Sequence, residues 1–508
     1  MRIGSPRGAA AALALILWLF LSPAAAEGPA LTGAVEITVE DAILMALENN
    51  RSLRVERFNP RIVRTGEEEE RAVFDPALSA DVSASRDKST RISTGGSVFE
   101  RESTSAEAGV EVSRFFSTGT RLGLEMSVSR LYSDLSPDQH RPRVGLSLTQ
   151  ALLEGRGRDV NLASLRQAAL DTEISEFELR AFAEDLVAGV EGAYWDYYLA
   201  GRRLDIFGES LRLAQRQMKE TEERIEVGVL AESELAAAQA EVALRREDLI
   251  NARSELEKAR LRLLRLLSPP SGRDRGGLWN RSLALLDTPE APALALEPAE
   301  SHVEVAREMR PVLNQARLQA RRGELEVVKT KNGLLPVLDF FVRAGKSGYA
   351  DSFGGAVKEM DGGFYDISAG LSLELPIRNR SARAAHSRAV LGHEQSLEAL
   401  DNLLELVEME VRIAYIEVSR TREQISATEA TRRFQEEKLR VETEKFHVGR
   451  STMFLVAQAQ RDLLESRIAE AEAVVNHLKA LVELYRLEGS LLERRGVAAP
   501  GKSLEEGA

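Results

Sequence analysis

Residues 183–225 read AEDLVAGVEGAYWDYYLAGRRLDIFGESLRLAQRQMKETEERI, and their spacing decides the fold. Ala183, Leu186, Val190, Ala193, Tyr197, Ala200, Leu204, Phe207, Leu211, Ala214, Met218 and Ile225 follow steps of three and four, with Thr221 as a polar interruption. That is a coiled-coil seam. No proline occurs from Arg143 to Ser268 or from Ile377 to Ala499. An interior proline costs a helix about 3 kcal/mol, so both runs suit long helices. The pattern predicts a helix over about 158–227, on the order of 100 Å long. A helix of that length cannot fold around a compact core and must run along neighbours in a rod or tube.

Outward from the seam, the chain repeats itself. Leu235, Val242, Leu249, Leu256 and Leu263 mark a returning helix; Leu464, Ile468, Ala471, Val475, Leu478, Val482 and Tyr485 mark a second one. Ala46, Leu53 and Pro76 match Ala306, Leu313 and Pro336 at an offset of 260. Gly145-Leu146-Ser147-Leu148 recurs as Gly370-Leu371-Ser372-Leu373 at 225, and Tyr194 and Val227-Gly228 recur as Tyr415 and Val448-Gly449 at 221. The collinear matches describe a tandem duplication whose first copy holds 35 extra residues between about 80 and 145. The expected division is a first repeat over 27–267, a linker over 268–301, a second repeat over 302–492 and a flexible tail over 493–508. Strands are expected within 74–150 and 336–376, and helical hairpins over 158–267 and 378–492.

The strand segments have a different period. Leu78, Ala80, Val82 and Ala84 alternate with Ser79, Asp81, Ser83 and Ser85. The same alternation runs through Leu122–Val128 and Ile367–Leu375, giving each segment one apolar and one polar face. An isolated segment of this kind reads as half of a soluble sheet. Here the lengths of about 9–12 residues suit transmembrane strands. Phe99, Phe115, Phe116, Tyr132, Phe353, Phe364 and Tyr365 lie near expected strand ends, where an interfacial girdle places aromatics. A spanning sheet must close on itself, so several chains must pool their strands.

Composition narrows the function. The 508 residues carry a net charge of −13 and no cysteine. Disulfides, thiolate metal sites, a cysteine nucleophile and lipid attachment to cysteine are excluded. The acidic balance argues against a nucleic-acid partner. Arg2 and Arg7, the apolar run Ala9–Leu21 and Ala24-Ala25-Ala26 form an export signal expected over 1–26. Beyond it no apolar run reaches the ~20 residues of a spanning helix. His140, His302, His386, His393, His447 and His477 have no metal-ligand spacing, and Gly155-Arg156-Gly157 lacks a phosphate-binding context. No catalytic, cofactor or metal site is expected.

The residues Ile37-Thr38-Val39-Glu40-Asp41-Ala42, Leu148-Thr149-Gln150-Ala151-Leu152-Leu153, Ala193-Tyr194-Trp195, Val227-Gly228-Val229-Leu230-Ala231 and Val448-Gly449-Arg450-Ser451-Thr452 resemble the TolC-like family of outer-membrane efflux and secretion channels. The resemblance covers nearly all of the expected mature chain. It implies an α+β membrane protein: a homotrimer with a β-barrel in the outer-membrane lipid, continuous with a long periplasmic α-helical barrel. It implies no enzyme activity and no cofactor, but a passive exit duct working with a periplasmic adaptor and an inner-membrane transporter. Val227, Gly228, Ala231, Val448, Gly449, Ser451 and Thr452 become the periplasmic tip where the adaptor docks. The two glycines equally suit simple helix caps.

Two departures from the family pattern stand out. Family members narrow the entrance with acidic residues just past the second tip glycine, where this chain has Leu455 and Gln458. Glu232 and Glu234 offer a carboxylate ring instead; they equally suit solvated acids at a helix start. The family barrel has twelve strands, whereas the extra residues supply a further hairpin candidate, 106–116 with 119–130. That hairpin either widens the barrel to eighteen strands or stands outside the membrane. A periplasmic coiled-coil adaptor, or a structural coiled-coil protein, is the alternative to a channel; neither accounts for two copies with lipid-length strands.

Overall fold

The computed structural model describes residues 34–92, 94–96, 98–133, 136–267, 279, 281–291 and 296–498. The expected export signal, most of the linker before residue 279 and residues 499–508 lie outside the described residues. The first half of the chain runs β1 (Ala34–Ile37), α1 (Val39–Asn49), α2 (Arg51–Glu56), α3 (Asn59–Ala72), β2 (Ala77–Ile92), β3 (Val98–Phe116), β4 (Thr120–Ser133), β5 (Ser136–Ala151), α4 (Arg158–Asn161), α5 (Ala163–Glu226), α6 (Ser233–Leu267) and β6 (Ser282–Leu285). The second runs α7 (Ala299–Met309), α8 (Pro311–Asn332), β7 (Val337–Ser347), α9 (Phe353–Glu359), β8 (Tyr365–Glu374), α10 (Arg380–His447), α11 (Met453–Glu488) and α12 (Leu491–Arg494).

Local chemistry sets the boundaries. Thr38 and Asp41 form a capping box that starts α1, and Asn50 caps α2 through the Leu53 amide at 3.1 Å. Pro60 and Pro311 sit in the first turns of α3 and α8, where a missing N–H costs nothing. The long α5 has 64 residues and α10 has 68. Every residue of the predicted α5 seam is buried or half-buried. The seam is only part of the buried surface, because α5 packs on α6 and on α11 at once. Leu199 and Ile206 are therefore also buried, although they lie off the heptad line, and Tyr194 is buried where β1 and α1 cover α5.

The helices form a wall in two tiers. Next to the strands, α3 packs on α5, and α8 touches both α5 and α10; farther away, the order is α6, α5, α11, α10. Two apolar cores lie at the waist between the tiers. One gathers Ile37, Ala42, Ala46, Leu53, Val190, Tyr194 and Leu263; the other gathers Val303, Ala306, Leu313, Val407, Val411 and Leu484. The repeat-matched residues Ala46 and Ala306, and Leu53 and Leu313, are thus buried in equivalent places. Strand β1 pairs in parallel with β6, tying the start of the first copy to the segment that joins the copies.

A single antiparallel sheet of six strands holds the order β2-β3-β4-β5-β7-β8. Leu78, Val112, Leu124, Leu146, Ala344 and Ile367 are successive register partners and make one apolar row. The next row on the opposite face is Ser79, Glu111, Glu125, Gly145, Gly345 and Asp366. The apolar face is uncovered, with Val82 86%, Leu78 72% and Ile367 70% exposed.

Two expectations change. The tail does not begin at 493: Leu491 and Leu492 are fully buried, Glu493 and Arg494 complete α12, and Arg495 ion-pairs with buried Glu191 at 2.7 Å. Burial of those leucines and of that carboxylate holds the chain down through Arg495, and Val497 packs against the same core. Phe353 opens the short helix α9 in the β7–β8 connection, a turn of backbone that period-two alternation could not announce. Among the described residues, no helix is long and apolar enough to cross a membrane.

Candidate functional site

Helices α5 and α10 end in the same way. At the first turn Gly228 takes φ +75°, its amide donates to the Ile225 carbonyl at 2.9 Å, and the Val229 amide donates to Arg224 at 2.9 Å. At the second, Gly449 takes φ +73°, with Gly449 N–H to Phe446 at 3.1 Å and Arg450 N–H to Lys445 at 2.8 Å. Both are Schellman motifs, which need a left-handed residue just past the helix; glycine occupies that position without steric penalty. The duplicated Val-Gly pair is therefore a duplicated helix stop.

The returning helices start differently. Thr452 caps α11 through the Leu455 amide at 3.4 Å. Its repeat mate Ala231 has no side-chain oxygen, and only its carbonyl accepts from Glu234 N–H at 3.1 Å. A threonine cap is worth about 1 kcal/mol over alanine, and α6 begins two residues past Ala231, at Ser233, whereas α11 begins directly after Thr452. Ser451 donates to the Glu442 carboxylate, which with Lys445 holds that acid below the usual carboxylate range. Ser451 thus fastens its turn back onto α10.

A link between the hairpins escaped the sequence reading. Arg224 on α5 donates to Glu220 at 2.8 Å and to His447 Nδ1 of α10 at 3.1 Å, and its guanidinium lies 5.5 Å from the centre of the Phe446 ring. The repeat offset aligns Arg224 with Lys445 and Ile225 with Phe446. That regularity marks a conserved shape between the copies but cannot say that the two turns meet. Around this link the surface is apolar: Val227, Val229, Val448 and Phe454 are each about 70% exposed. Glu232 is exposed just ahead of α6 and Glu234 is half-buried in its first turn; Leu455 and Gln458 are exposed on the first turns of α11.

The waist holds two strongly perturbed groups, Glu184 and Tyr194. Burial pushes Glu184 on α5 up to about 7, in spite of Arg180, whose Nε lies 3.4 Å away. Arg180 also donates to the Gly489 carbonyl at 3.0 Å, so this pair sits where α11 ends. Burial likewise raises Tyr194 to about 12; its hydroxyl donates to the Ile37 carbonyl at 3.1 Å and meets Asp287 at 3.3 Å. Asp287 in turn accepts from the Val39 amide at 2.7 Å. His302 Nδ1 contacts buried Glu488 at 2.5 Å, and His477 contacts Thr421 at 3.1 Å. These histidines are packed within helices, and no group of carboxylates and histidines among the described residues is arranged to hold a metal.

The family model described as outer membrane efflux protein matches residues 119–268 and 303–490. The match begins at β4, so β2 and β3 lie outside it together with α1–α3, and the hairpin expected at 106–116 with 119–130 is β3 paired with β4. Among solved structures, the chain is similar to the outer-membrane channel OprN at 18% identity and TM-score 0.67, covering 89% of this chain and 90% of that one. It is similar to a membrane protein from Pseudomonas aeruginosa at 23% identity and TM-score 0.65, with 89% and 93% covered. The Campylobacter jejuni CmeC outer membrane channel gives 15% identity and TM-score 0.65, with 92% and 88% covered. No curated protein sequence matches significantly. With two thirds of its length matched to the family and the strand-and-long-helix fold shared with these channels, the chain belongs to the outer membrane efflux protein family and is an export channel of the outer membrane.

Proposed function

We propose that three copies close into one conduit, which passively carries cargo from a periplasmic adaptor and an inner-membrane transporter to the exterior. Open edges in both layers carry this reading. In the sheet, β2 and β8 each have one unpaired side, and unpaired backbone groups cost several kcal/mol each in lipid. In the helical wall the outer members are α6 and α10. Each exposes apolar side chains, Leu244, Ile250 and Leu261 on α6, and Met409, Ile413 and Ile416 on α10. A ring of identical copies covers both pairs of edges with one rotation.

On this reading the two helix turns form the periplasmic tip. Val227, Gly228, Ala231, Val448, Gly449, Ser451 and Thr452 supply the adaptor surface, with the apolar tip side chains as its anchors. Glu232 and Glu234 form the entrance constriction beside Leu455 and Gln458, and threefold symmetry triples each charge near the axis. Membrane fractionation tests the assembly: the protein is expected in the outer membrane, migrating on gels at trimer size until heated. Recovery as a soluble periplasmic monomer overturns the proposal.

A further inference from the structure

Strands β2 and β3 lie outside the family match, yet they are built into the sheet. β3 pairs with β4 without interruption from Ser103↔Ser133 to Phe116↔Thr120, and β2 pairs with β3 along its whole length. The apolar positions Leu78–Ala84 and Ala106–Val112 stand in register with Leu124–Arg130 of β4 and His140–Leu146 of β5, so the rows of Leu78, Ala80 and Val82 continue through Leu124, Met126 and Val128. On the same face, beyond that band, Lys88 pairs with Glu100 at 2.8 Å and Arg86 pairs with Glu102. On this face charge enters β4 and β5 at Arg130 and His140, the row of Ala106 and Ala84, and enters β2 one row further on at Arg86. One lipid band therefore crosses all of these strands, its edges shifted by no more than one row between β2–β3 and β4–β5.

We propose that β2 and β3 are transmembrane, and that three copies close an eighteen-stranded barrel in which β2 of one copy pairs with β8 of the next. This rests on the trimer proposed above. The direction of the strands fits: β2 runs away from the helices and β8 runs toward them, so their pairing continues the antiparallel order. A second copy is the occupant that supplies a free β8 edge bearing the same apolar face, with Ile367 and Leu371 exposed. At a strand spacing of ~4.8 Å and a tilt of ~40°, eighteen strands give a backbone radius of about 18 Å, against about 12 Å for twelve. The outer-membrane section of this duct is half as wide again as a twelve-stranded exit.

The absence of native cysteine makes the test direct. Full-length protein carrying Ala80→Cys or Val82→Cys on β2 together with Ala369→Cys or Leu371→Cys on β8 is oxidised in outer membranes and run unreduced. Disulfide-linked dimers and trimers are expected from at least one of the four pairs. Coupling of the β8 cysteines to Met126→Cys or Val128→Cys on β4, with none to β2, overturns the proposal. In vesicles of phosphatidylethanolamine and phosphatidylglycerol, a nitroxide at Val82→Cys or Val110→Cys is expected to be as oxygen-accessible as one at Met126→Cys. Water-like accessibility at Val82 and Val110 in a protein that is trimeric by light scattering overturns the eighteen-stranded barrel alone. A monomer overturns the trimer as well.

Discussion

Glu184→Gln isolates the buried waist acid. Glu184 is 2% exposed, and burial raises its carboxyl from the ordinary 4.5 to about 7; Arg180 and Arg486 oppose the rise and Asp185 adds to it. The folded chain therefore binds this proton more tightly than the unfolded chain does. The stabilisation is complete below about pH 4.5 and is lost as pH rises toward 7. At about 1.36 kcal/mol per pH unit, that gap is worth roughly 3 kcal/mol per protomer. A chain of this length has an unfolding entropy near 1 kcal/mol per kelvin, so the effect on Tm is about 3 °C. Glutamine keeps the shape and the hydrogen bond to Arg180 but cannot ionise. Scanning fluorimetry of detergent-solubilised wild type and variant, at one heating rate from pH 4.5 to 8, is expected to show the wild type losing about 3 °C relative to the variant. A Tm difference independent of pH refutes the buried-acid reasoning.

Other expectations concern the tip. Gly449→Ala forces a side chain into the left-handed region at a cost of about 1–2 kcal/mol; export is expected to fall while trimer migration on gels stays unchanged. Arg224→Ala removes the contacts to His447 and Phe446, a link worth about 1 kcal/mol per protomer, and is expected to raise open probability in planar bilayers. Neutralising Glu232 or Glu234 to glutamine is expected to raise conductance or weaken cation preference; unchanged values return both to the role of solvated helix-start acids. Thr452→Ala is expected to cost about 1 kcal/mol, read as faster local amide hydrogen exchange at the start of α11.

Periodicity and repetition carry much of the architecture. The heptad seam from Ala183 to Ile225 predicts a helix that no compact core could hold, and α5 spans it. The repeated Val-Gly pairs mark the ends of α5 and α10 because a Schellman stop is a local backbone requirement. Period-two alternation marks the strands, because adjacent residues on a strand face opposite ways. All of these depend on residues within one element or one turn, and such chemistry is legible from the order of the chain.

What needed the tertiary structure are relations between distant segments. Leu199 and Ile206 are buried off the seam because α11 arrives on a second side of α5, and Tyr194 because β1 and α1 arrive on a third. Arg224 meets Phe446 and His447 across 222 and 223 positions of sequence, and no spacing rule encodes that meeting. Glu191 and Arg495 are ordinary charges in the sequence; only the docking of α12 brings Arg495 onto the buried Glu191 carboxylate, a pair that holds down the start of the supposed tail. The strand alternation says that β2 and β3 are amphipathic, while only their register with β4 places their apolar band at the height of the others. The sequence by itself determined the elements, their duplication and their stops, since these are settled by local geometry. Which faces meet, and at what height, was decided by packing among segments far apart in the chain.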